Sequence, residues 1–202
     1  MTERRERITM LIAGVLRQAL VDHGASGFVI LGGAAGTDLC LAACSRAAPG
    51  QTEVVHAEGD TLQTIEQQRA RARQLAAERN ALLANPASKT ALLLGEIPPE
   101  PLLPLGDLYE TQISELCGLE IEGAGGAAAA DPYAHFGGTA AVDLALTRWF
   151  EERRSAAQAV AHLPEQVRGS FLEVVRAGRD RRRRIGLVPK LSTRTLGVDL
   201  FD

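Results

Sequence analysis

Leu31-Gly32-Gly33-Ala34-Ala35-Gly36-Thr37-Asp38 joins a short apolar run to a stretch with helical spacing. Glycines followed by a hydroxyl and an acid at a helix start can cradle a phosphate on backbone N–H groups or approach a magnesium ion. The competing reading makes the same glycines a tight strand-to-helix turn, and so loose a glycine pattern favours packing over chemistry. The candidate binding residues here are Gly32, Gly33, Gly36, Thr37 and Asp38. A second candidate is Arg181 with Arg182, in the run Asp180-Arg181-Arg182-Arg183-Arg184. Such a run suits a phosphate, an acidic partner surface, or a solvated helix end where cations offset the helix dipole, and the last is the base reading.

Other reactive types lead nowhere. His23, His56, His135 and His162 are scattered, without the neighbours of a metal site or triad. Ser26, Ser45 and Ser88 lack a nucleophile motif. Cys40, Cys44 and Cys117 are odd in number and sit among apolar residues, so buried thiols are expected rather than disulfides or metal ligands. No catalytic residue and no metal ligand is assigned on these grounds.

The elements that must position the candidates emerge from periodicity. Ile8 to Val21 has three-to-four apolar spacing and predicts a helix ended by Gly24. Gly27 to Leu31 predicts a strand, 38 to 47 a helix, and Thr52 to Val55 a second strand. Leu62 to Leu83 reads as one long helix, Thr90 to Leu94 as a third, buried strand, and Leu102 to Leu105 as a fourth. Helices are expected over 108–117, 139–152 and 164–177, with Asp107 capping the first and Pro164 in the first turn of the last. Between them Gly123 to Ala130 is of low complexity. Strands alternating with helices predict a three-layer α/β/α Rossmann-like sandwich with a parallel sheet whose centre is the 27–31 strand. The expected organisation is a single domain over 1–186 and a C-terminal arm over 187–202.

The 202 residues are enough for one substantial core, and the aromatic content of 4% requires it to be mainly aliphatic. A net charge of −3 offers no global attraction to nucleic acid or to an anionic membrane. No apolar stretch approaches the roughly 20 residues of a bilayer span, and the charged start is unlike a secretory signal, so a cytoplasmic protein is expected.

Pro104-Leu105-Gly106-Asp107-Leu108-Tyr109 followed by Thr111-Gln112 resembles a turn and helix start of the ammonia-dependent NAD synthases. The order of features resembles that family along most of the chain, which implies a fold of the adenine-nucleotide α-hydrolase (ATP pyrophosphatase) type. The family reaction would be adenylation of deamido-NAD by Mg-ATP, followed by attack of ammonia. Its Ser-Gly-Gly-any-Asp-Ser phosphate loop falls at 31–38. With Gly32-Gly33 as the glycine pair, Leu31 replaces the first serine and Ala35 the aspartate; aligned without a gap from Gly27, Thr37 replaces the aspartate and Asp38 the last serine. Thr64 to Arg71 resembles the family's Asn-Ile-Gln-Ala-Arg helix, one residue out of step.

Leu92-Leu93-Leu94-Gly95 matches the strand before the family's Gly-Thr-Gly-Asn-Lys-Ser-Glu loop. That register leaves the lysine without a counterpart and puts Glu96 at a metal-binding place by analogy. The resemblance therefore implies a descendant with weakened or lost catalysis and a nucleotide-binding, regulatory or scaffolding role, with ATP and magnesium bound weakly or not at all. It also implies a homodimer built on helices, with Trp149 and Phe150 either in the core or on a dimer patch. The alternatives are an active ATP-dependent amide ligase with a rebuilt site, and a protein-interaction module that binds no nucleotide.

Overall fold

A computed structural model describes residues 3–56, 62–96, 102–119, 131–179 and 186–191. The chain opens with α1 (Glu3–His23), whose apolar spacing turns Ile12, Ala13 and Leu16 inward. Gly24, in the left-handed region at φ 61°, stops it and feeds β1 (Gly27–Leu31). Every residue of β1 is buried, as a strand sandwiched on both faces requires.

α2 (Thr37–Ala47) returns the chain to β2 (Thr52–Val55), which pairs with β1 in parallel from Phe28 opposite Thr52 to Leu31 opposite Val55. α3 (Leu62–Glu78) then crosses to β3 (Ala81–Ala84), parallel to β1 on its other side. The order β2-β1-β3 puts β1 in the centre, as expected. Single bridges from Ala84 to Leu102 and from Leu102 to Leu187 continue the parallel arrangement beyond β3.

Alternate residues of β1 serve opposite faces, since side chains along a strand have a period of two. Phe28 and Ile30 pack with Ile12, Leu16, Leu39 and Ile113 of α1, α2 and α5 (Glu110–Cys117). Val29 and Leu31 pack with Ala72 and Ala76 of α3. Helices cover both faces of a parallel sheet, in a mixed α/β fold.

Three predicted elements are corrected. The long helix over 62–83 stops at Glu78; Asn80 takes a left-handed φ of 50°, and Ala81–Ala84 leaves as β3. The segment 90–94, expected as a strand, is α4 (Lys89–Leu94). Ser88 caps it by accepting from the Ala91 N–H at 3.2 Å, and Gly95 closes it in the left-handed region at φ 72°. Alanine and leucine accept either state, so caps and partners decided between them. The fourth predicted strand is reduced to the single bridging residue Leu102.

A separate helical half completes the chain. α6 (Thr139–Leu146) runs into a π turn over Thr147–Glu151, then α7 (Ala156–Ala159) and α8 (Glu165–Ala177), with Pro164 at the cap of α8 rather than inside its first turn. Its core gathers Tyr109, Tyr133, Phe136, Phe150 and Phe171, with Phe136 and Phe171 meeting edge to face at 5.3 Å. Phe150 belongs to this core and Trp149 is half-buried against it. α4 ties the two halves together. A Cβ added at Gly95 would lie 2.6 Å from the Gly178 Cα, so the ends of α4 and α8 touch backbone to backbone. None of the described helices is long and apolar enough to cross a membrane.

Candidate functional site

In a parallel sheet, ligands bind outside the carboxyl ends of the strands, in the crevice where successive crossovers diverge. The order β2-β1-β3 puts that crevice between the loops that leave β1 and β3. The first is the glycine loop, 32–36. Gly33, Ala34 and Ala35 are exposed, and Gly33 adopts φ 103° with open space where a side chain would point. Its two neighbours are constrained instead. A Cβ on Gly36 would meet Leu105 Cδ1 at 2.4 Å and the Pro86 carbonyl oxygen at 3.1 Å; one on Gly32 would meet His56 Nδ1 at 2.6 Å. Gly32 and Gly36 are therefore small because the loop is packed. Gly33 is the glycine that faces solvent.

No side chain caps the start of α2. The Thr37 hydroxyl is half-consumed by the loop itself, donating to the Ala34 carbonyl at 2.7 Å, while Asp38 is exposed. On the β2 side, the buried amide of Gln68 donates to the carbonyls of Gly32 at 2.8 Å and Val55 at 2.7 Å, fastening the ends of β1 and β2 together. Beside it opens a cleft of about 120 Å³ lined by His56, Thr64, Gln67, Gln68 and Arg71. The stretch 64–71 thus contributes one buried clamp and several cleft-lining residues from α3.

The second loop, 85–88, leads into α4 and brings up a cluster of buried charge. The Lys89 ammonium lies 2.9 Å from Glu151 Oε1 and 3.4 Å from Asp107 Oδ1, and 4.9 Å from the centre of the Tyr109 ring. The Lys89 and Asp107 side chains are each only 3% exposed, against 29% for Glu151. Asp107 does not cap α5. Its second oxygen accepts from the Leu191 N–H at 2.7 Å, while the Tyr109 N–H is satisfied by the Gln112 side chain at 2.9 Å. The chain has only two lysines, Lys89 and Lys190, among 22 basic residues. Lys89 is thus one of two compact side-chain ammonium groups in a protein that otherwise uses arginine.

Around this centre, carboxylates are held in hydrogen bonds that organise the helix starts. Thr90 Oγ1 donates to Asp143 Oδ1 at 2.5 Å and accepts from the Glu110 N–H at 3.0 Å; Asp143 Oδ2 accepts from the Thr111 N–H at 2.8 Å. Burial pushes the Asp143 carboxyl above the usual aspartate range despite the bonds from Thr90 and Thr111. Burial also raises Glu110, against a bond from Ser88 and with the Asp143 charge adding to the shift. Glu96 accepts from the Tyr133 hydroxyl at 3.0 Å; although the residue as a whole is exposed, burial of its carboxyl raises it too, and the Glu110 charge contributes. Asp131 goes the other way. Burial opposes its charge, but the N–H and hydroxyl of Thr139 and the Tyr133 N–H outweigh that and lower it. No group of three or more metal-binding side chains occurs among the described residues.

No protein-family model matches the sequence, and no curated protein matches it. Among solved structures, the chain is similar to an NH3-dependent NAD synthetase from Campylobacter jejuni subsp. jejuni NCTC 11168, in complex with the nitrate ion. The TM-score is 0.64 and the identity 12%, over 92% of this chain and 99% of that one. The fold is NAD synthetase-like. A glutamine-dependent NAD+ synthetase from Acinetobacter baumannii, in complex with ADP, is matched at TM-score 0.48 and 16% identity, over 96% of this chain and 48% of that one.

The segment matched to the strand before the lysine loop, 92–95, is α4 and its closing glycine, and the strand that comes before it is β3; Lys89 follows β3 after the four residues Asn85-Pro86-Ala87-Ser88.

Gly32, Gly33, Gly36, Thr37 and Asp38 lie together at the carboxyl end of β1, whereas Arg181 and Arg182 lie outside the described residues. Lys89, Asp143 and Glu151 carried no expected role, and Asp107 was expected only as a helix cap. The signal for Lys89 was present as Ser88 and Gly95, the two caps of a short helix; nothing local marks Asp143 or Glu151, which meet these partners across more than 30 residues.

Proposed function

We propose that the chain is a nucleotide-binding relative of the NAD synthetases in which amide-forming catalysis is weakened or lost, serving as a regulatory or scaffolding subunit. The observation that carries this reading is the state of the glycine loop. Its backbone stays open at Gly33 to Ala35 above the central strand, but the nearby hydroxyl of Thr37 turns back onto Ala34. Exposed backbone N–H groups at a helix start can still hold a phosphate. Neither register of the loop restores the ordered acid and hydroxyls that would manage a metal and a developing charge: Leu31 and Ala35 stand in their places in one, Gly33, Thr37 and Asp38 in the other.

The cleft beside Gln68, on the β2 side of the loop, adds His56, Gln67 and Arg71 as polar side chains near a ligand held there. Mg-ATP is the ligand this reading favours, and a homodimer belongs to it. Its test is calorimetric titration with ATP, AMP and NAD, comparing the native chain with Ala34→Glu, which puts a carboxylate on the open loop without entering the core. Binding lost in the variant supports the reading; no heat at millimolar ligand from folded protein sinks it in favour of an interaction module. With deamido-NAD, Mg-ATP and ammonia, at most trace NAD is expected, because each missing charge-stabilising group is worth on the order of 10² or more in rate. Robust NAD formation would restore the rebuilt-ligase alternative.

A further inference from the structure

We propose that Glu151 is a built-in occupant of an anion site centred on Lys89, closing from inside a position that would otherwise take a phosphate or carboxylate group. The inference deepens the nucleotide-binding reading and rests on it only for the class of ligand. Lys89 comes directly after the loop leaving β3, at the carboxyl end of the sheet where a bound anion belongs. Its ammonium is buried to 3% exposure with two carboxylates around it, and these two are not equivalent. Asp107 is equally buried, sits at the longer distance of 3.4 Å, and is tied to the Leu191 backbone. It is part of the wall. Glu151 makes the shorter contact, 2.9 Å, and its side chain is 29% exposed, so it approaches Lys89 from the solvent side.

The backbone that delivers Glu151 is unusual. α6 widens into a π turn over Thr147–Glu151, with the Glu152 N–H bonded to the Thr147 carbonyl at 3.0 Å. One extra residue in a turn rotates the next side chains by about 100° relative to an uninterrupted α-helix. The same turn keeps Phe150 in the core and presents Glu151 to Lys89. A compact ammonium is the cation suited to such a site, because it accepts either a side-chain or a ligand anion as a point charge.

Two substitutions test this without emptying the interior: Glu151→Gln keeps the shape and removes the charge, while Glu151→Asp keeps the charge and shortens its reach. The probe is inorganic pyrophosphate, titrated calorimetrically against each folded variant and the native chain. Glu151→Gln should bind it at least about tenfold more tightly than the native chain, with Glu151→Asp between them. A second readout is native-state acylation analysed by mass spectrometry, with exposed Lys190 as the internal reference. In the native chain Lys89 should resist labelling. In Glu151→Gln it should be labelled, and pyrophosphate should protect it while leaving Lys190 unchanged. Failure of both folded variants to gain binding overturns the proposal, as does a gain that leaves Lys89 unprotected. Because these readouts concern Lys89 alone, they stand or fall separately from nucleotide binding at the glycine loop.

Discussion

The glycine loop and the Lys89 centre face the same end of the sheet, yet they are built in opposite ways. The loop has an open backbone and little chemistry of its own: Ala34 and Ala35 are exposed, Thr37 is bonded to its own loop, and Asp38 is exposed. The centre holds its charge in a buried place, with Lys89 between the carboxylates of Asp107 and Glu151. Openness without chemistry can retain a ligand; chemistry without openness cannot act on one. That asymmetry is the basis for proposing that binding is separable from turnover here, and it can be attacked from either side.

The largest effect is expected from removing the ammonium. Lys89→Met leaves Asp107 and Glu151 facing each other in the interior, and breaking one side of a buried ion pair costs about 3–5 kcal/mol. The urea midpoint should fall accordingly. A fall below about 1 kcal/mol, the range of exposed pairs, would mean that the centre is more hydrated than its burial implies.

Next in size is the anchoring of the two helix starts by Asp143. Asp143→Ala strips the Thr90 hydroxyl and the Thr111 N–H of their acceptor at once, and each orphaned buried donor costs about 1–3 kcal/mol. Hydrogen exchange should quicken at Thr111 and its neighbours in α5 before it does in β1. Uniform acceleration through the sheet would show that the two halves are one cooperative unit, and would weaken the contrast between them.

The loop side should separate its own glycines. Gly36→Ala forces a methyl against Leu105 and the Pro86 carbonyl and should cost about 1–3 kcal/mol, as overpacking does. Ala34→Glu, on the exposed part of the loop, should stay within about 0.5 kcal/mol of native. Equal costs, read from paired melting curves, would mean that the exposed part of the loop is as constrained as its anchor.

How much of this could be read from the sequence depended on whether the signal was local. β1 was legible because five apolar residues between turn signals fit only a buried strand, and its central place reflects the same burial. Its helix partners were legible from three-to-four spacing. β3 was lost because Ala81-Leu82-Leu83-Ala84 continues the composition of α3; only Asn80 marks the break. That miss displaced the next strand onto α4 and hid Lys89, even though Ser88 and Gly95 bracket the helix with ordinary caps. Glu151 could not have been found at all. Its role depends on a π turn and on a partner 62 positions away, and neither leaves a local trace.

The smallest effect is a pH dependence that sharpens the comparison, because the raised carboxyls all lie on the closed side. Glu96, Glu110 and Asp143 are each pushed above their ordinary values, 4.5 for glutamate and 3.8 for aspartate, with burial the leading cause. For an acid raised on folding, the native state takes up its proton at higher pH than the unfolded chain does. Within that window the native state holds more protons, so stability increases as pH falls and the gain is complete once the unfolded value has been passed. Asp131, lowered by Thr139 and Tyr133, opposes this only below 3.8, where its contribution is lost as pH falls through its native value. Urea midpoints measured downward from pH 7 should therefore rise modestly towards the upper end of the carboxylate range before acid reverses the trend. Glu110→Gln should flatten the rise, since it removes one raised group and relieves its repulsion of Glu96. A native midpoint that instead falls steadily from pH 7 to 5 would mean that these carboxyls stay hydrated in the folded protein, and that the helical side is as open as the glycine loop.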